Sequence, residues 1–414
     1  MCAVSSGKNL ASRGSDIGAG AVWRGLWPVL KRPWIAARLV SLQAEKRFFA
    51  WRYPPRPDGR AGKIRQVSLR LTDQCNLRCA TCGQWGEQGY LHGRNLKSLK
   101  TQEVPAARYV ELFKDMASHG HRPIVYLWGG EPMLYDGVLD LVAAATKMRM
   151  PVAIATNGTR VAAAAETLVR APLFLLQVSI DGHEAALHNR LRPSVSGGDN
   201  FKAIEAALEA TAQARKDLKT DLPLVASLTT ISRENAPHLL DIYRTFAGRV
   251  DFFVFYLAWW IDESRAADHD RDFERRFGFV PKRHRGWIGG WKPKQPDELH
   301  RQIQAVRKYA RRPGAPPMVL IPRLHALEDL RTYYADHACH FGYSRCLSVY
   351  HALEVNSNGD VSPCRDYHDY VVGNVKTNTF PELWNNEAYR RFRRSMAEEG
   401  LMPVCTRCCG LMGY

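Results

Sequence analysis

The chain has no run of about 18 apolar residues, so nothing in it is long and greasy enough to read as a membrane-spanning helix. Its first residues, Met1 to Asp16, are polar and small, and they lack the early apolar core of a signal peptide. Acidic residues are in short supply, 41 Asp and Glu against 58 Lys and Arg, which leaves a formal charge of +17. Cysteine is nearly absent outside two groups. Apart from Cys2, the ten cysteines are Cys75, Cys79 and Cys82, then Cys339, Cys346, Cys364, Cys405, Cys408 and Cys409. Thiols clustered in this way fit metal sites in a reducing compartment better than a disulfide framework, and the expected location is cytoplasmic. At 414 residues with 45% hydrophobic content, the chain is long enough for two or three domains with full cores.

Part of the positive charge is local. Between Arg24 and Arg65 eleven Lys or Arg face only Glu45 and Asp58, interleaved with Trp23, Trp27, Trp34, Phe48, Phe49 and Trp51. From Pro33 onward, Ile35, Leu39, Leu42 and Phe49 fall on one face at helical spacing. Such a face suits packing against the rest of the chain. That is the first reading; the second is peripheral contact of residues 20–65 with the headgroup layer of an anionic membrane, at the inner face in a cytoplasmic protein. Basic and aromatic content also suits a single-stranded nucleic acid, but no recognisable binding motif accompanies it and no specific nucleic acid is expected.

From Gln66 onward short apolar runs alternate with longer stretches of helical period, the pattern of parallel strands joined by helices. The runs Val67 to Leu71, Pro123 to Trp128, Val152 to Ala155, Phe174 to Ile180, Leu224 to Ile231 and Phe252 to Leu257 read as six strands. Helices are expected near Val104 to Ser118, Gly137 to Met148, Val161 to Val169, Phe201 to Arg215 and Ala236 to Phe246. Six β/α units are too few for a closed eight-fold barrel. In parallel architectures the working face lies where strands end. Here Cys75 follows the first strand, Gly129-Gly130-Glu131-Pro132 the second, Thr156-Asn157-Gly158 the third, and Ser179-Ile180-Asp181-Gly182 closes the fourth. Thr-Asn-Gly and Ile-Asp-Gly alone are ordinary turns; their succession at strand ends is what gives them weight.

The loop Thr72-Asp73-Gln74-Cys75-Asn76-Leu77-Arg78-Cys79-Ala80-Thr81-Cys82 supplies three thiolates. A four-iron, four-sulfur cluster held there keeps one iron open to a small molecule. A closed zinc site wants a fourth ligand nearby, and the next cysteine is Cys339. This Cys-x3-Cys-x2-Cys spacing, with the Gly-Gly-Glu-Pro segment after it, resembles the radical S-adenosylmethionine (radical SAM) superfamily. The resemblance implies an α/β fold, a partial (β/α)6 TIM-like barrel. It also implies an open iron that chelates the methionine moiety of S-adenosylmethionine, and reductive cleavage to a 5'-deoxyadenosyl radical that abstracts a substrate hydrogen. By resemblance, Gly129, Gly130, Glu131 and Pro132 hold the methionine amino group, and Thr156, Asn157, Ser179 and Asp181 contact the cofactor. Arg192 aligns with an Arg that pairs with the methionine carboxylate, although Asn189 and Pro193 depart from the usual pattern and leave Arg190 as its rival. A flavodoxin or ferredoxin-type reductant is implied as a partner.

After the sixth strand, Asp262 to Pro317 reads as a polar, loop-rich connector, with a loop or lid over 281–296 and a helix from Pro296 to Arg311, followed by a short strand at Val319 to Ile321. Ser348 to Val355 and Asp360 to Pro363 read as a β-hairpin that brings Cys346 and Cys364 together; a helix near Pro381 to Glu398 precedes Cys405 and Cys408. This order resembles the SPASM extension and its shorter twitch version, a small C-terminal cysteine-rich β-hairpin plus helix. It implies one auxiliary 4Fe-4S cluster on Cys346, Cys364, Cys405 and Cys408, with Cys339 or Cys409 able to substitute. A structural zinc accepts the same four thiolates. The expected domains are 1–62, 63–260, 261–338 and 339–414. Analogy with twitch-bearing relatives favours dehydrogenation, with epimerisation or bond formation as neighbours; a lipid, a sugar and a ribosomal peptide are the substrate classes in view. Trp259 and Trp260, with the Trp287 to Trp291 loop, are expected at the barrel opening. A non-catalytic iron-sulfur electron carrier is the alternative function.

Overall fold

In strand β1 (Gln66–Thr72) the apolar residues alternate. Val67, Leu69 and Leu71 are fully buried under helices, which turns Ser68, Arg70 and Thr72 to the other face of the sheet. The same alternation recurs in β2 (Ile124–Gly129), β3 (Val152–Thr156), β4 (Leu175–Ser179), β5 (Leu224–Ile231) and β6 (Phe252–Leu257). The helices between them have the complementary period: α1 (Ala106–Ser118) buries Tyr109, Leu112, Phe113 and Met116. Then come α2 (Val138–Lys147), α3 (Val161–Arg170), α4 (Asn200–Asp217) and α5 (Leu239–Phe246). This is a computed structural model, and it describes residues 56–258 and 260–408. Most of the basic aromatic N-terminal segment, together with Cys2, Trp259 and Cys409, lies outside the described residues.

β1 to β6 pair in parallel in chain order, and β7 (Met318–Ile321) adds to β6 in parallel. The sheet is not closed. On the far side of β1 lies β8 (Ala352–Val355), also parallel, followed by the antiparallel strands β9 (Asp360–Ser362) and β10 (Gly373–Asn374). The expected cysteine-rich hairpin is therefore a direct continuation of the barrel sheet, so its cysteines are carried beside the strand that leads into Cys75. A helical turn, Ser348–His351, occupies the part of the hairpin read as extended.

Two other elements differ from the sequence reading. The stretch expected as loop-rich connector begins with a 15-residue helix, α6 (Glu263–Phe277), capped by the Asp262 carboxylate, which accepts from Arg265 N at 2.8 Å. Its buried stripe is Ala266, His269, Phe273 and Phe277; with a histidine in the stripe and charge on every other face, the helical period is masked. After α7 (Pro296–Ala310), the long C-terminal helix is broken at Asn385–Asn386 into Phe380–Trp384 and α8 (Glu387–Glu398). Asn386 caps the second piece by accepting from Tyr389 N, and Asn385 ties back to Ala61. Arg393 of α8 is fully buried, its guanidinium 3.9 Å from the Tyr389 ring centre and 4.4 Å from that of Trp384, and it donates to the Val349 and Trp384 carbonyls. Such a buried cation is tolerable because its donors are met. No helix among the described residues is long and apolar enough to cross a membrane.

The concave face of the sheet has two characters. Toward β8, β1 and β2 it carries Ser68, Arg70, Tyr126, Trp128 and Glu354, whereas toward β5, β6 and β7 it carries Leu228, Val254, Tyr256, Val319 and Ile321. Several of these side chains remain partly exposed although they lie in the middle of the fold, which marks an open lumen rather than a packed barrel centre.

Buried histidines, among them His188, His269 and His337, make the fold acid-sensitive. Burial lowers His188 to about 4, His269 to about 3 and His337 to about 4, with Arg192, His284 and Arg407 respectively adding to the effect. Each is neutral when folded and titrates near 6.5 when unfolded, so the unfolded chain binds the extra protons as the pH falls below about 6.5. Stability is then complete above that value and declines by about 1.4 kcal/mol per pH unit for each such histidine. Thermal unfolding followed by circular dichroism between pH 7.5 and 5.5 should show a falling midpoint, and His269→Phe should flatten the decline; an unchanged slope in that variant would assign the acid sensitivity elsewhere.

Candidate active site

The loop after β1 holds Cys75, Cys79 and Cys82 with free thiols, and each sulfur has one N–H directed at it. Leu77 N donates to Cys75 Sγ at 3.5 Å, Arg192 Nη1 to Cys79 Sγ at 3.6 Å, and Trp85 N to Cys82 Sγ at 3.3 Å. Burial, and then the neighbouring Cys79, pushes the Cys75 thiol well up. Burial also takes Cys79 up to about 11, against the pull of Arg192. Desolvated thiols such as Cys75 and Cys79 ionise readily when metal charge compensates them. A set of three soft donors with N–H bonds to the sulfurs suits an iron-sulfur cluster with one iron left unligated by protein.

The loop keeps its shape through Gly129-Gly130. Gly130 N and Glu131 N each donate at 2.8 Å, to Thr72 O and Gln74 O. A Cβ on Gly129, whose φ is +147°, would lie 2.4 Å from Thr72 O, and one on Gly130 would lie 2.2 Å from Gln74 O. The two glycines are needed for the approach of two backbones, with Gly129 O left to accept from Gln84 Nε2 at 3.3 Å. Glu131 is fully buried, and its carboxylate is engaged on the sheet: Oε1 accepts from Thr156 Oγ1 at 2.6 Å and Met133 N at 3.0 Å, Oε2 from Asn157 N at 2.7 Å. Pro132 opens the short turn Pro132–Leu134 behind it.

Asn157 donates to Asn76 Oδ1 at 2.8 Å, and its own Oδ1 accepts from Thr159 N and Oγ1. The Thr156 and Asn157 side chains thus tie the third strand end to the cysteine loop. Ser179 lies at the lumen end of β4. Asp181 forms an ion pair with Arg192, whose Nε donates to Oδ2 at 2.6 Å, while Oδ1 accepts from Thr230 N at 2.8 Å. Arg192 is held between Asp181 and Cys79, whereas Arg190 is exposed on the outer side of its helix. Of the two arginines the sequence offered, Arg192 is the one at the cysteine loop.

Sequence reasoning missed several neighbours. Asn76 joins the loop to Asn157, and Arg78 lies over Trp85 at 4.3 Å, while Trp85 Nε1 reaches Asp73 O at 2.6 Å. Residues 283–287, within the stretch read as a lid, form a 3-10 turn packed on the cysteine loop. A Cβ on Gly83 would meet the Trp287 ring at 2.4 Å. Trp260, expected at the opening, is instead buried against His337. A glycine after Cys82 and a tryptophan in a glycine-flanked turn were visible signals, but nothing in the sequence joined them.

In the C-terminal region Cys346, Cys364, Cys405 and Cys408 have free thiols. Cys364 Sγ accepts from Tyr367 N at 3.4 Å, Cys346 from backbone N–H groups of Ser348 and Val349, and Cys408 donates to Asp366 Oδ2 at 3.3 Å. Burial raises Cys364, Cys346 and Cys405, and Cys364 and Cys405 each feel Cys346 as a neighbour. Arg407, between Cys405 and Cys408, is itself buried and donates to Tyr333 O, Asp336 O and Cys339 O, which fixes the Cys-x2-Cys turn. Cys339 is buried beside this turn, its carbonyl accepting from Arg407 Nη1 at 3.4 Å. The four thiols fit a fully ligated cluster.

Gly130→Ala should push the Thr72–Gln74 backbone out of register and lose the first site alone. Iron analysis of the reconstituted variant should fall from about eight to about four per chain, and full iron content would show that the approach is not needed.

The profile of the Radical SAM superfamily matches residues 69–232, and that of the SPASM iron-sulfur cluster-binding domain matches residues 346–409. The chain is 28% identical over 354 residues to the AdoMet-dependent heme synthase of Methanosarcina barkeri, covering 82% of this chain and 88% of that one. It is 33% identical over 146 residues to a GTP 3',8-cyclase of Mycobacterium sp., 35% of this chain and 40% of the other. Among solved structures, SuiB of Streptococcus suis bound to S-adenosylmethionine superposes with a TM-score of 0.55 at 16% identity, covering 81% of this chain and 68% of that one. anSMEcpe with bound AdoMet gives 0.53 at 17% identity, covering 80% and 82%. At these identities the solved structures speak for the fold.

Proposed function

The chain belongs to the radical SAM superfamily and carries a SPASM iron-sulfur domain, and from that premise we propose that it abstracts a hydrogen atom from a substrate lying on the concave face of its open sheet. It is an enzyme that uses S-adenosylmethionine and 4Fe-4S clusters, and it needs a reductant and a substrate. The observation that carries the reading is the meeting of its two cysteine regions across β1. Arg70 on that strand donates to His368, four residues beyond Cys364, so one lumen wall is shared by both.

In this reading Cys75, Cys79 and Cys82 hold the first cluster, and Cys346, Cys364, Cys405 and Cys408 hold the second. When bound, the first with S-adenosylmethionine would supply a 5'-deoxyadenosyl radical, and the second would supply an electron acceptor, which favours an oxidative outcome such as dehydrogenation. The residues of the chain do the positioning. Gly129 to Pro132 bring the backbone of the second strand end against the cysteine loop, and Glu131, Thr156 and Asn157 lock the third strand end to it. Ser179 and Asp181 bound the cofactor from the fourth strand. Arg192, oriented by Asp181, offers its remaining donors to a carboxylate of the methionine moiety. Trp287 covers the loop at Gly83 and keeps water from that side.

The reductant we propose is a small flavodoxin or ferredoxin-type protein, and the compartment the cytoplasm, where free thiols persist. Contact of residues 20–65 with an anionic membrane face is supported by their basic aromatic sequence alone. The likeness to AdoMet-dependent heme synthases along most of both chains adds a tetrapyrrole to the lipid, sugar and peptide classes.

Anaerobically reconstituted protein, reduced with dithionite in the presence of S-adenosylmethionine, should release 5'-deoxyadenosine. Intact clusters with no such product would leave a non-catalytic electron carrier as the better reading.

A further inference from the structure

Arg70 is 3% exposed, and among the described residues the carboxylate oxygen that approaches its guanidinium is Asp73 Oδ1, at 4.0 Å from Nη1. Its other contacts are uncharged. Nη1 and Nη2 reach the two ring nitrogens of His368 at 3.2 and 3.5 Å, and burial, with Arg70 and Arg283 beside it, holds that imidazole well below its ordinary range, hence neutral. Trp128 and Tyr90 present their rings to the same guanidinium at 4.8 and 5.5 Å. Around it three buried donors have no acceptor among the described residues, Arg70 Nε, Trp128 Nε1 and the Tyr90 hydroxyl, and Asp73 Oδ1 has no donor within hydrogen-bond distance. Two further cations border the group. Arg283 lies over Tyr90 at 5.0 Å; Arg365 lies over Trp128 at 5.5 Å and is paired with Glu354.

A buried guanidinium with so little compensation is costly, and donors left without acceptors add to that cost. Both are relieved by one incoming group rich in acceptors and negatively charged. The opposite lumen wall is mostly apolar, with Leu228, Val254, Val319 and Ile321 beside Thr230 and Tyr256.

We propose that Arg70, with the indole N–H of Trp128 and the hydroxyl of Tyr90, is the anchor for a carboxylate or phosphate of the substrate, whose apolar body then lies across the lumen toward β5–β7. The inference rests on the proposed substrate position, and it narrows the substrate to an anion with an apolar body. The bidentate geometry of guanidinium toward either oxyanion fixes the register of that body beside the cysteine loop, because Arg70 is two residues before Thr72, where the loop begins. Glu354 engages the neighbouring Arg365, while Asp73 Oδ1 stays 4.0 Å from Arg70 Nη1, beyond hydrogen-bond distance, so the Arg70 guanidinium keeps donors for the anion.

Equilibrium dialysis of radiolabelled probes against the reconstituted holoenzyme with S-adenosylmethionine tests this. The probes are 4-phenylbutyrate, phenyl phosphate and the neutral 4-phenylbutanol. One anionic probe should bind at one per chain and at least about tenfold tighter than the alcohol, and the tighter of the two anions tells carboxylate from phosphate. Arg70→Gln should weaken the anion by about tenfold or more while leaving the alcohol unchanged. Trp128→Phe, which keeps the ring and removes the N–H, should weaken it several-fold, and it decides the matter if the Arg70 variant does not fold. Arg190→Gln, at an exposed arginine, should have no effect. Equal binding of alcohol and anions, or anion binding indifferent to both variants, would overturn the proposal. A holoenzyme that binds the anion through Arg70 yet releases no 5'-deoxyadenosine would overturn the reaction assigned above and leave the anion site standing.

Discussion

The close approach of two backbones, Thr72 to Gln74 against Gly129 to Glu131, is the constraint on which the site depends. A cluster-binding loop of three cysteines has few hydrogen bonds of its own, and thiolates held on a floppy loop would not share one geometry. Here the start of the loop is fastened by two main-chain hydrogen bonds that exist because two glycines let the chains touch, and its middle by three more to Leu191, Pro193 and Val195. Glu131 then carries the constraint outward. A fully buried carboxylate is expensive unless it is well hydrogen-bonded, and this one accepts from Thr156, Met133 and Asn157, so β2 and β3 are locked where the loop needs them.

The second consequence is topological. Because β8 pairs with β1, the hairpin that carries Cys346 and Cys364 is continuous with the strand that leads into Cys75. Buried arginines fix that arrangement: Arg393 links α8 to the start of the described chain through Gly59 O, and Arg407 links the Cys405 turn to the helix that ends near Asp336. Between the two cysteine regions lies a lumen that is cationic and aromatic on one wall and mostly apolar on the other. That asymmetry is how a protein with generic radical chemistry can select one molecule and present one of its hydrogens.

Much of this was legible in the sequence because strands and helices bury one face each. The period-two runs located six strands, with β5 and β6 matching residue for residue, and the succession of motifs at their ends placed the working edge. What remained hidden has two physical causes. Helix α6 was concealed because its buried stripe includes His269 amid a highly charged surface. The Arg70–His368 contact was concealed because its partners are 298 residues apart, and no local pattern reports a contact made by sheet order. The roles of Thr156, Asn157 and Glu131 differ in kind as well. Their residue types suit a cofactor contact; in the structure the Thr156 and Glu131 side chains bond each other, and the Asn157 side chain bonds Asn76 and Thr159.

The central claim is that one cluster is open and the other closed. Electron paramagnetic resonance of the dithionite-reduced holoenzyme, recorded with and without S-adenosylmethionine, addresses it directly. Two overlapping cluster signals are expected, of which one shifts on addition of the cofactor; replacing Cys75, Cys79 and Cys82 together by Ala should remove the shifting signal and leave the other unmoved. A signal that still shifts in that triple variant, or none that shifts in the unaltered protein, would contradict the account.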